Sequence, residues 1–176
     1  MKEDFIKKVQ IREANSSIGV STLRGQKKGT TQIVRSFLKE FNLHVFKEVN
    51  LESQFVEILD KQTDLLKELI NSRSWGIARK ALNIFLFHSV NNIYLNKEYN
   101  LNKIIPFLEL TLDNPNVKKH LKKFATEENT KLDWTNITKL TKVQSDKIQA
   151  FAKRVAKERF DCKRCYLDLY FWRDGE

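Results

Sequence analysis

One stretch, Trp75 to Leu95 (WGIARKALNIFLFHSVNNIYL), constrains the fold more than any other. Its apolar residues recur at Ile77/Ala78, Ala81/Leu82, Phe85/Leu86, Val90 and Ile93/Tyr94, the three-to-four step of an α-helix. From Ile84 to Phe87 four apolar residues run together, so that turn is hydrophobic on every side. A helix of this kind must be covered all round by other elements. Ser74 stands where an N-cap is needed, with a hydroxyl able to accept from the first free backbone amides. The stretch is therefore expected to be a central buried helix, about 75–95.

The rest of the chain reads as helices around it. Only five Gly and two Pro interrupt 176 residues, few breakers for a many-turned β fold. Residues 3–13 pattern as a short helix with Phe5, Ile6 and Val9 on one side, and Thr31–Phe41 as an amphipathic one. A longer helix is expected over Leu51–Ile70. Its buried side is Leu51, Phe55, Ile58/Leu59, Leu65/Leu66 and Leu69/Ile70; its wet side is Glu52, Glu57, Asp60, Asp64 and Glu68. Asp113-Asn114-Pro115 suits a helix start, with Asn114 as cap and Pro at the first helical position. A last helix is expected from Ser145 to Phe160, whereas Pro106 forbids a long regular element over Tyr99–Leu112. The expected architecture is all-α: a single domain, 1–176, of seven or eight helices packed around 75–95. Residues 14–30 form a flexible, basic, Gly- and Ser-containing loop in that reading.

Charge narrows the partners. The net charge is +10, and its sign suits a polyanion. The cations cluster. Lys118, Lys119, Lys122 and Lys123 fall on one outer side of the helix after Pro115, with no acidic residue between them. Lys147, Lys153, Arg154 and Lys157 mark the outer side of the 145–160 helix, and Lys27 and Lys28 precede a helix start that could hold a phosphate. The glycines nearby are not a Walker loop: five residues separate Gly19 from Gly25, and Gln26 stands where the motif has Lys. The expected partner is nucleic acid, DNA in the first place, and not a membrane. No window reaches the ~20 apolar residues that span a bilayer, and with only two Cys a reducing cytoplasm is the expected compartment.

Metal and redox chemistry find little support. Cys162-Lys-Arg-Cys165 is half a zinc site, but His44, His88 and His120 lie far off with no ligand-like spacing. No cofactor and no metal are expected.

The closing fifth of the chain carries a motif. Residues Leu140-Thr-Lys-Val143-Gln lead into a helix, and Leu167-Asp168 follows it before Leu-Tyr-Phe-Trp. This order over 137–172 resembles the helix-hairpin-helix DNA glycosylase superfamily. The resemblance implies that Leu140–Gln144 is a hairpin gripping a DNA phosphate, with Lys142 beside it. It also implies that Asp168 stabilises the oxocarbenium-like sugar as the base departs, or helps activate water. Lys142 and Gln144 replace the hairpin glycines of the family. Asp146 stands where bifunctional members carry a nucleophilic Lys, with Lys147 one step beyond. The wider span from the Trp75 helix through Pro106–Asn114 to the terminal LDLYFW is also similar to a group of small bacterial helical proteins, which implies no chemistry. Two functions are thus expected in competition. One is a DNA-binding base-excision glycosylase using Asp168. The other is a non-catalytic basic module that binds nucleic acid or an acidic protein partner, with Asp168 as a helix cap.

Overall fold

The helix that begins at Trp75 carries the largest share of the core. In the computed structural model, which describes residues 2–19, 22, 23, 25–72 and 74–172, eight α-helices form and no strand is found among the described residues. They are α1 (Lys2–Ser17), α2 (Thr30–Lys39), α3 (Glu52–Leu69), α4 (Trp75–Asn91), α5 (Ile93–Tyr99), α6 (Lys122–Glu127), α7 (Lys142–Phe160) and α8 (Leu167–Phe171). A π-helix, Pro115–Leu121, runs directly into α6. The fold is all-α and forms one domain.

Helix α4 is central, as its pattern requires. Ile77, Ala78, Ala81, Leu82, Phe85 and Leu86 are each almost wholly buried, and they pack with α1, α2, α3, α5 and the 3-10 turn Leu101–Phe107. The Ser74 hydroxyl accepts from the Ile77 amide at 3.2 Å and donates to the Ile137 carbonyl at 3.2 Å, so the cap also anchors a distant turn. Gly76 makes that anchoring possible. A Cβ there would collide with the Ile137 carbonyl oxygen and come within 2.9 Å of the Leu140 Cβ. A second cluster, built by the π-helix, α6, α7 and α8 around Val117, Leu121, Trp134, Val155 and Leu167, lies beyond this turn.

The central helix is shorter than its apolar pattern. It ends at Asn91 rather than continuing to Leu95. Asn92 leaves the helical conformation, and its Oδ1 accepts from the amides of Tyr94 and Leu95 to start α5. The helix competes here with an Asx cap, and the cap wins because it satisfies two amides at once. The loop also starts later than expected: residues 14–17 belong to α1, and Arg24, which contributes to its basic character, lies outside the described residues. Helix α2 is closed from outside, where Gln10 Nε2 donates to the carbonyls of Leu38, Lys39 and Phe41 at 2.7–3.2 Å.

Two further corrections concern α3 and the Pro115 start. Leu51, Leu65 and Leu69 face outward, and Thr63 takes an inward position beside Phe55, Leu59 and Leu66. Asp60 and Glu52 leave the wet side to make ion pairs. Asn114 does not cap: the Asp113 Oδ1 accepts from the Asn116 amide at 3.0 Å, while the Asn114 Oδ1 accepts from the Trp134 indole at 3.2 Å.

Candidate nucleic-acid interface

The π-helix is laid down by Pro115 and by the burial of Val117 and Leu121, which leaves Lys118 and Lys119 on the outside. Lys123, in α6, is exposed as well. None of these three lysines forms an ion pair among the described residues. Lys122 is turned inward instead, half-buried with its ammonium donating to the Trp134 carbonyl at 3.5 Å. The outward stripe is thus three lysines, not four.

Ring contacts join this stripe to α7 and α8. His120 stacks on Phe171 with centroids 4.5 Å apart and planes 6° from parallel. Phe124 meets Phe160 edge-on at 5.9 Å, and Phe160 lies 4.9 Å from Tyr170. Of the α7 cations, Lys147 and Lys157 are exposed and without an ion pair among the described residues. Lys153 and Arg154 point outward but are engaged, Lys153 with Glu52 at 2.5 Å and Arg154 with Glu128 at 2.5 Å. Lys27 and Lys28 are exposed at the start of α2. The amides of Thr30, Gln32 and Ile33 beside them already bond to the carbonyls of Lys27 and Gly29.

Asp168 lies in the first turn of α8. It does not cap that helix, which has no side-chain cap. Its Oδ1 accepts from the Nδ2 of Asn116 at 2.6 Å, and Asn116 belongs to the same π-helix as Lys118 and Lys119. Lys80 pairs with Asp113 at 3.4 Å nearby. Burial pushes the Asp168 carboxyl above the ordinary range and the Asp113 charge adds to it, against the opposing pull of Asn116 and Lys80. The arrangement brings together four polar residues from positions 80, 113, 116 and 168. Sequence reasoning found Asp168 and missed Asn116 and Lys80, which stand in runs that read as packing or as a helix start.

Residues 137–144 form a 3-10 turn, Ile137–Lys139, followed by a capping box. The Thr141 hydroxyl accepts from the Gln144 amide and the Gln144 Oε1 accepts from the Thr141 amide. Two amides of the expected hairpin are therefore engaged within the chain. Lys142 pairs with Asp60 across the gap to α3.

That gap is a cleft of about 710 Å³, with Asp60, Glu109, Lys142, Asp146, Lys153 and Arg164 on its walls. Asp168 does not line it. At its base Arg79 grips Glu109 with two hydrogen bonds of 2.8 and 2.9 Å and reaches Asp60 at 2.9 Å and Thr63 at 3.1 Å. Asn83 donates to the same Glu109 carboxylate at 2.9 Å. Burial alone would raise the Glu109 carboxyl; the Arg79 charge and hydrogen bonds, helped by Arg164 and Asn83, outweigh it and hold it below the ordinary range. Asp146 is pushed up by burial and by the negative charges of Asp60 and Glu109. These partnered charges make the cleft floor a structural brace between α3, α4 and the extended segment at Glu109.

The cysteines are free thiols. Burial pushes the Cys165 thiol up to about 11 and raises that of Cys162 as well, the direction opposite to that of an activated thiolate. No metal-binding group of His, Cys, Asp and Glu occurs among the described residues, and no helix among them is long and apolar enough to cross a membrane.

A comparison with protein-family models, curated proteins and solved structures returned no match.

Proposed function

We propose that this protein binds DNA, without sequence preference, through Lys118, Lys119 and Lys123 together with Lys157 and Lys147. The observation that carries the reading is the exposure of these five cations, clustered on the π-helix, α6 and α7, without ion-pair partners among the described residues, whereas their neighbours Lys153 and Arg154 are paired with Glu52 and Glu128. Phosphate contacts of this sort position a duplex and give affinity that depends on salt. Lys27 and Lys28 extend the basic surface on another part of the fold. A cytoplasmic protein that meets DNA directly fits this reading. Equilibrium binding to duplex DNA over a range of salt tests it; binding that ignores salt would overturn it, and no duplex binding at low salt would favour an acidic protein as the partner of the same lysines.

A second reading is supported by one further observation, the seating of Asp168 against the π-helix by Asn116. In it the protein is a base-excision DNA glycosylase, a hydrolase of DNA repair. The C1′–N bond of an extruded nucleotide breaks and the base leaves with the bonding pair; water adds its oxygen to C1′, and the proton it loses ends on the departed base. The Asp168 carboxylate stabilises the positive charge that develops on the sugar. Asp168→Asn keeps the acceptor for Asn116 and deletes the charge. It should abolish base release from a panel of damaged duplexes while leaving affinity unchanged. Absence of any release by the unaltered protein leaves the binding function alone.

A further inference from the structure

Helix α8 separates its aromatic residues into two groups. Phe171 is buried at 5% exposure and stacks on His120, whereas Trp172 is 70% exposed and Tyr170 47%. An exposed tryptophan leaves in water one of the largest apolar surfaces a side chain can offer. Core packing explains Phe171 and does not explain Trp172.

The position of Trp172 is defined by its backbone. Its amide donates to the Asp168 carbonyl at 3.0 Å, closing the last turn of α8, so Trp172 stands one helical turn beyond Asp168. Phe171 between them rests on His120, the neighbour of Lys119, and Tyr170 rests on Phe160, which in turn packs against Phe124 beside Lys123. The segment that carries the exposed rings is therefore packed on the same helical run, Pro115–Glu127, that carries Lys118, Lys119 and Lys123. Flat aromatic faces next to phosphate-binding cations are the combination that holds unpaired bases. The lysines follow the backbone, and each base offers a face to stack whatever its identity. A fully paired duplex keeps its bases stacked on each other and presents no such face.

Resting on the DNA-binding reading above, we propose that Trp172 is a stacking platform for an unpaired base, and that the preferred ligand is single-stranded or locally unpaired DNA. The lysine stripe supplies affinity for any DNA; the tryptophan supplies the preference for the open form. An unpaired base seated on Trp172 would lie one turn from the Asp168 carboxylate.

The test uses the full chain with a short oligothymidine and with a perfect duplex of the same length. Of the three tryptophans Trp134 is buried and Trp75 half-buried beneath Arg79, so Trp172 is the one most open to a quenching ligand, and the Trp172→Phe variant isolates its share. Oligothymidine should quench it and should bind more tightly than the duplex. Trp172→Ala should lose roughly 5- to 150-fold in affinity for the single strand, the range expected for one stacked base, with duplex affinity unchanged. Trp172→Phe should keep most of the affinity and lose the quenching. Single-strand affinity that survives in Trp172→Ala, or tighter binding to the duplex, overturns the platform while leaving the lysine stripe intact. Failure of the unaltered protein to bind either ligand at low salt overturns both.

Discussion

Asn116 donates to Asp168 at 2.6 Å across 52 residues of sequence and fastens the basic π-helix to α8. The bond leaves Asp168 half-buried, with its carboxyl above the ordinary range for the reasons of burial and of Asp113 nearby. A carboxyl raised in the folded state favours folding while it is protonated. That contribution is present below the unfolded value, near 3.8, and is lost as pH climbs through the higher folded one. Asn mimics the protonated form, so Asp168→Asn should be at least as stable as the unaltered protein at neutral pH. Its advantage should vanish in acid. Denaturant titrations at the two pH values check this; a variant clearly less stable at neutral pH would mean that the carboxylate charge itself holds the fold.

Glu109 obeys the opposite sign. Its carboxyl is held low by Arg79, so its stabilising contribution is present above the ordinary carboxylate value and is lost as pH falls through the folded one. Glu109→Gln removes the charge and leaves the Arg79 guanidinium, only 2% exposed, with Asp60 as its sole anionic partner. Breaking a buried pair from one side costs about 3–5 kcal/mol. Chemical denaturation at neutral pH should show a loss of that size, shrinking in acid. A loss under about 1 kcal/mol would mean that Asp60 alone satisfies the arginine.

Gly76 separates helix propensity from packing. In an open helix Gly→Ala gains about 1 kcal/mol. Here the added methyl would meet the Ile137 carbonyl and the Leu140 side chain, and overpacking costs about 1–3 kcal/mol. Gly76→Ala should therefore destabilise, and it should also loosen the 137–140 turn that precedes α7. A more stable variant in thermal melts would show that this turn yields easily.

Much of the scaffold was legible because it follows from periodicity. The inward residues of α4, the Ser74 cap, and the spans of α2, α3 and α7 to within a few residues all follow from apolar spacing and capping chemistry. What periodicity cannot carry is pairing at a distance. Glu52 and Asp60 sit on the polar side of α3 and look solvated until Arg164, Lys153, Lys142 and Arg79 arrive from elsewhere in the chain. Asn92 interrupts an unbroken apolar rhythm, since its cap depends on a side chain turning back on its own backbone. At the basic surface, Lys118, Lys119 and Lys123 point outward as their spacing predicts, but the inward turn of Lys122 reflects the Trp134 carbonyl twelve residues away. Asn116, which seats Asp168, has no signal of its own in the sequence.

The central claim is that exposed, unpaired lysines bind DNA, and its most direct measurement is the slope of log affinity against log salt for a B-form duplex. Each phosphate neutralised contributes about −0.9 to that slope. Replacing Lys118, Lys119 and Lys123 together with Gln should weaken binding to all duplexes alike and flatten the slope by roughly 2.7 if each lysine meets one phosphate. Replacing the ion-paired Lys153 should change it far less. A slope that stays the same after the triple substitution, or no duplex binding by the unaltered protein at low salt, would contradict the account.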